Sequence, residues 1–111
     1  MARMLYELRT YTVHPGKMTP LLARFRDPIC DLLQQHGVNN VGYWTNAIGG
    51  RDDQLIYMVS FEDLAQREAA WASFGADPEW HRVRAETEAD GRLVQYRENR
   101  ILTPTDFSPL R

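Results

Sequence analysis

Residues 54–61 read QLIYMVSF. A strand turns alternate side chains to opposite faces. One register of this segment carries Leu55, Tyr57, Val59 and Phe61, and the other carries Ile56 and Met58. Near-continuous apolarity of this kind belongs to a strand covered on both sides. Any sheet that holds it therefore needs helices on one face and a second layer on the other.

The flanking segments supply the rest of the sheet and the helices. MLYELRTYTV (4–13) has no Gly or Pro and reads as a long strand, broken by His14-Pro15-Gly16. Leu21, Leu22, Phe25, Ile29, Leu32 and Leu33 recur at close to helical spacing. Thr19-Pro20 fits the first turn of that helix, and Gly37 offers the left-handed residue that ends it after His36. Pro28 cannot donate to the Arg24 carbonyl, which predicts a kink. Val38 to Ile48 reads as a second strand with Val41, Tyr43 and Trp44 as its bulk, followed by the turn residues Gly49-Gly50-Arg51-Asp52-Asp53.

After the third strand, Leu64 to Phe74 is helical by composition. Leu64, Glu68, Trp71 and Ala72 share a broad face, with Phe74 at its edge. Gly75-Ala76 stops it. Asp77 then serves as N-cap of a new helix with Pro78 at its first position. Trp80, Val83 and Thr87 line one face of that piece, and Asp90-Gly91 ends it. Arg92 to Leu102 reads as the last strand, and residues 103–111, with Pro104 and Pro109, as an extended tail.

The order is β-α-β-β-α-β, the ferredoxin-like α+β plan with helices on one face of an antiparallel sheet and strand order 4-1-3-2. A length of 111 residues suits one domain covering 1–111. The second face of the sheet, carrying Ile56 and Met58, would be an apolar patch of a kind that soluble monomers avoid. A homodimer with two sheets face to face resolves this, burying about 800 Å² per partner. The tail, with Phe107 as anchor, is expected to pack on the partner.

Composition narrows the class of function. The formal net charge is −2, with no single-sign block and no basic face that would favour nucleic acid. No apolar run reaches the roughly eighteen residues of a membrane helix. The start of the chain shows no signal-peptide pattern, and the single cysteine, Cys30, suits a reducing cytoplasm, the expected location. His14, His36 and His81 form no metal-ligand spacing, so no metal site is expected. There is no phosphate loop, G-x-S-x-G elbow or dinucleotide fingerprint, so any reaction is expected to run without a nucleotide cofactor.

YELRTYTVHPGK (6–17), FEDLAQREAAWASFGADPEW (61–80) and ENRILTPTDFSPL (98–110) together resemble a NIPSNAP domain, and the resemblance covers essentially the whole chain. The DPEW element after a W-x-x-F helix and the TPTDFSPL tail are its most specific parts. The family is similar in fold to the dimeric α/β-barrel superfamily, which implies two ferredoxin-like subunits forming a shared barrel. That likeness also implies a ligand cleft between each subunit's sheet and its helices. Its known activities include cofactor-free monooxygenases, isomerases, small-molecule binders and haem proteins. Animal members are associated with mitochondria, but the Arg/Ser-rich presequence of that route is not evident here.

Two sets of residues are candidates for chemistry. Leu5, Glu7, Arg9 and Tyr11 share one face of the first strand. Buried charge needs a partner, so Glu7 and Arg9 form either an ion pair, mutual or with Arg97 and Glu98, or a site. In the second case Arg9 meets an anionic or enolate-like oxygen and Tyr11 donates a hydrogen bond. Trp71 and Trp80, nine residues apart across the helix break, are either core or, with Tyr57, the walls of a pocket for a flat aromatic ligand. Arg84, four after Trp80, is either a solvated charge or the pocket mouth. His81 is the candidate general base, alongside Arg9 as the candidate catalytic cation. A homodimeric cofactor-independent oxidoreductase or isomerase, and a non-catalytic binding or interaction module, both fit these features.

Overall fold

The protein is described by a computed structural model covering residues 4–111. Strands β1 (Leu5–Val13), β2 (Asn39–Thr45), β3 (Gln54–Phe61) and β4 (Val94–Leu102) form one antiparallel sheet in the order β2-β3-β1-β4. Helices α1 (Met18–Arg24), α2 (Cys30–Gln35), α3 (Leu64–Gly75) and α4 (Pro78–Thr87) lie against one face of it. This is the ferredoxin-like α+β fold. Its shortest dimension, 19 Å, is that of one sheet plus one helical layer.

The helix start and stop signals act as their chemistry requires. Asp63 and Asp77 cap α3 and α4, their carboxylates accepting from the backbone N–H groups of Gln66 and Glu79. Gly37, at φ +90°, turns the chain out of α2. The first helix departs from the expected single kinked rod. Asp27 takes an extended conformation (φ −157°, ψ 115°), and the segment Phe25–Ile29 separates α1 from α2. A residue before proline is driven out of the helical region by the ring, so the break falls one residue ahead of Pro28 and is a true interruption.

Strand limits also differ from expectation. β2 stops at Thr45, not Ile48, because Asn46 turns back to donate to the Arg51 carbonyl (2.7 Å), which leaves Ile48 exposed in the loop. β4 begins at Val94, not Arg92.

Register decides what each face carries. Glu7, Arg9 and Tyr11 of β1 and Leu55, Tyr57, Val59 and Phe61 of β3 face the helices. Leu21, Phe25, Ile29, Leu32 and Leu33 meet them from the first helical layer, and Ala70, Phe74 and Val83 from the second. The opposite face carries Leu8, Ile56 and Met58, all half-buried, and the exposed side chains of Trp44, Tyr96 and Leu102. Residues 103–111 form an extended tail in which Phe107 is 82% exposed.

Candidate functional site

Glu7 is the hub from which the site is built. Its carboxylate is fully buried and has hydrogen bonds from three directions. From its own strand it accepts from Arg9 Nη1 (2.9 Å); from α3, from Arg67 Nε (2.9 Å), Arg67 Nη2 (3.1 Å) and Trp71 Nε1 (2.9 Å); from β4, from Asn99 Nδ2 (2.9 Å). Burial pushes its pKa up. The bonds from Arg67, Asn99 and Trp71, with the charge of Arg9, outweigh that and hold it at about 2. Of the two ion-pair arrangements the sequence allows, the mutual Glu7–Arg9 pair forms. Arg67 and Asn99 join it where Arg97 and Glu98 were the expected partners.

Arg9 passes this network on to a pair of phenols. Its Nη2 donates to Tyr11 Oη (3.0 Å), and Tyr57 Oη lies 2.9 Å from the same oxygen. The guanidinium carbon stands 4.6 Å from the centroid of the Trp71 ring, a cation–π contact. Burial works against the Arg9 charge, yet Tyr11, Tyr57 and Glu7 raise its pKa above the ordinary value. Burial pushes the Tyr57 phenol well above its usual value, so it stays protonated and donates to Tyr11 Oη. The two phenols share one hydrogen bond and therefore use one of their two protons between them. The other has no acceptor among the described residues.

Next to this pair lies a cavity of about 240 Å³ between the sheet and the helices. Arg9, Tyr11, Tyr57, Trp71, Trp80 and Arg84 all line it, joined by Phe25 and Phe74. Aromatic packing fixes the walls. Tyr57 stacks on Tyr43 at 4.9 Å, Phe25 tilts onto Tyr57 at 5.2 Å, and Trp80 stacks on Phe74 at 5.1 Å. Trp71 is held by its bond to Glu7. The Trp80 N–H has no partner among the described residues, and its ring lies 5.1 Å from the Arg24 guanidinium.

Further charged residues in the lining lay outside the sequence candidates. Arg24 is buried, bound to Glu88 (2.9 Å) and Thr87 (3.2 Å). It sits three residues after Leu21 and next to Phe25, so a cation on the apolar stripe of the helix was its signal. Arg92 and Arg97 also line the cavity, and the Arg97 guanidinium stands 5.8 Å from the Tyr11 ring centroid.

The candidate base does not join them. His81 lies on the exposed side of α4, its Nε2 2.7 Å from the Gly75 carbonyl oxygen, and it is not part of the cavity lining. It directly follows Trp80, but the Trp80 ring turns to the cavity while the His81 ring turns to the Gly75 carbonyl. His36 bridges the end of α2 to Ser73 (2.6 Å) and Asp77 (2.7 Å), a tie between helices. The thiol of Cys30, half-buried, is pushed up by burial, opposite to a reactive thiolate.

Among the described residues no group of His, Cys, Asp and Glu is arranged to hold a metal ion, and no helix is long and apolar enough to cross a membrane.

Comparison with known proteins agrees with the fold and the resemblance. The NIPSNAP family model matches residues 6–109. Over 75 residues, 68% of this chain, the sequence is 32% identical to mouse Protein NipSnap homolog 3B, and the match spans 30% of that longer protein. A NIPSNAP family protein of unknown function from Agrobacterium tumefaciens superposes with a TM-score of 0.86 at 30% identity, over 99% of this chain and 96% of the other. SnoaB, a cofactor-independent oxygenase from Streptomyces nogalater, shares the fold at a TM-score of 0.62 and 15% identity, over 97% of this chain and 99% of the other. With its family model covering residues 6–109, this chain belongs to the NIPSNAP family.

Proposed function

We propose that this protein is a single-domain homodimer that binds a small planar aromatic molecule in the cavity between sheet and helices, and that it acts on that molecule without a cofactor. The observation that carries the reading is the unmatched phenolic proton beside the cavity, set among aromatic walls. A donor fixed by Arg9 and its neighbouring phenol is preorganised for an oxygen of the ligand, and such preorganisation stabilises developing negative charge. A cavity near 150 Å³ accommodates one benzene, so about 240 Å³ suits one substituted ring.

The dimer rests on the sheet face that holds Leu8, Trp44, Ile56, Met58 and Leu102. Packing two such faces removes the apolar patch, and the tail with Phe107 adds to the contact with the partner.

For the reaction, direct oxygenation of an electron-rich ring fits the lining better than isomerisation. In such a step a ring carbon para or ortho to a phenolic oxygen gains one oxygen atom of O2 as a carbonyl and the phenol becomes the second carbonyl of a quinone; the other oxygen atom leaves as water with the ring hydrogen and the phenolic hydrogen, so the substrate supplies every electron. SnoaB, with the same fold, is a cofactor-independent oxygenase. An isomerase needs a base that moves a proton between carbons, and the cavity's one carboxylate, Glu88, is engaged by Arg24. A non-catalytic binding module is the second reading, favoured by that same shortage of a free base.

Tryptophan fluorescence of the dimer, titrated with hydroquinones and phenols, tests the pocket. Saturable quenching that weakens in Trp80→Phe and is unchanged in Trp44→Phe is the expected result. Oxygen uptake with the bound compounds then separates oxygenase from binder. Absence of quenching by every compound, with the fold of both variants intact, would overturn the pocket.

A further inference from the structure

We infer that the ligand is an anion: a single-ring aromatic carboxylate whose acid group is held at the cavity mouth by Arg92 and Arg97. This deepens the pocket reading and rests on it.

The inference comes from the charge balance of the lining. Among the described residues five arginines border the cavity, namely Arg9, Arg24, Arg84, Arg92 and Arg97, against the single carboxylate of Glu88. Arg9 is neutralised from behind by Glu7 (2.9 Å). Arg24 is neutralised by Glu88 (2.9 Å), which also lies 3.9 Å from Arg84 Nε. Arg92 and Arg97 have no carboxylate partner among the described residues. The excess positive charge is thus local to the mouth, although the whole chain carries a formal charge of −2.

The position of the excess gives the ligand a direction. Arg97 leans over one side of the Tyr11 ring, its guanidinium 5.8 Å from the centroid, while Arg9 approaches the same ring at 5.5 Å. Arg97 and Arg92 are exposed, whereas Tyr11 is buried. A carboxylate bound between the two exposed guanidiniums leaves the ring to slide inward along Trp71, Phe74 and Trp80. An oxygen on the far side of that ring then reaches the unmatched phenolic proton of the Tyr11–Tyr57 pair. Guanidinium is the group best matched to a planar carboxylate, because its fork donates two parallel hydrogen bonds. The cavity volume admits one ring with short substituents.

The test compares 4-hydroxybenzoate with its uncharged counterpart 4-hydroxybenzamide by calorimetry, on the intact protein and on the double variant Arg92→Gln/Arg97→Gln. Both residues are exposed, so the variant is expected to fold, which circular dichroism checks. The expected result is acid binding at least about tenfold tighter than amide binding, weakening as salt is raised. The double variant is expected to lose that preference, the acid weakening more than the amide. Equal binding of acid and amide to the intact protein would overturn the anion inference and leave the aromatic pocket standing. So would a preference that survives in the double variant. Binding of neither compound would overturn both.

Discussion

Trp71 Nε1 donates to Glu7 Oε1 at 2.9 Å, so the indole that walls the cavity and the carboxylate that joins sheet to helix are one mechanical unit. The same carboxylate also binds Arg9, Arg67 and Asn99. The position of the cavity wall therefore depends on a buried charge network.

Glu7→Gln keeps the shape and removes the charge. It leaves Arg67 and Arg9 with less compensation in a buried setting, a change that costs about 3–5 kcal/mol in comparable networks. Chemical denaturation is expected to show a loss of this size, and near-ultraviolet circular dichroism a changed tryptophan signal as Trp71 loosens. A loss below about 1 kcal/mol would show that the network is solvated.

Acid has the corresponding effect. The folded-state pKa of Glu7 is held at about 2, below its ordinary 4.5. Between those values the unfolded chain takes up a proton that the folded chain does not. The stabilisation from Glu7 is thus complete above pH 4.5 and is lost as pH falls toward about 2, amounting to about 3 kcal/mol. The stability difference between the native sequence and Glu7→Gln should shrink across that window and stay constant above it.

Tyr11→Phe removes the oxygen that accepts from Arg9 and meets Tyr57. Leaving two buried donors unmatched costs about 1–3 kcal/mol in stability. Phenolic ligands should weaken by about tenfold or more, since the donor pair is broken. His81→Ala, outside the cavity, should change neither binding nor turnover. A large effect of His81→Ala alone would mean that the ligand sits elsewhere.

Met58→Lys addresses the assembly. Met58 is half-buried at the middle of β3, opposite Leu8 and Gly42, on the face away from the helices. In the proposed dimer, two lysines brought together in an apolar interface should raise the dissociation constant by on the order of 100-fold. The subunit fold should persist, because the side chain is outside the helix-facing core. Sedimentation velocity reads the change directly, and an unaltered dimer would place the interface elsewhere.

What the sequence disclosed was what local chemistry controls. The limits of β3, the Asp77–Pro78 start of α4 and the Gly37 stop follow from alternation, capping and backbone freedom. Strand order followed from the element order. The face shared by Glu7, Arg9 and Tyr11 was legible because period two has no exceptions within a regular strand. The partners of Glu7 were not legible. Arg67 and Asn99 lie 60 and 92 residues away, and no spacing rule links such positions. Arg97 was visible as a charge near the sheet, but its place over Tyr11 depends on the β1–β4 register that pairs the two. His81 was misplaced for a simpler reason: adjacency to Trp80 in sequence does not give adjacency on a helix face.

The pocket is tested most directly by the indole N–H resonances of the three tryptophans, assigned with single Trp→Phe variants and followed as a phenolic ligand is added. Trp71 and Trp80 line the cavity, while Trp44 stands on the opposite sheet face and serves as an internal control. The expected result is a saturable shift of the Trp71 and Trp80 resonances with Trp44 unmoved. A shift confined to Trp44, or saturation with no change at Trp71 and Trp80, would contradict a ligand site between the sheet and the helices.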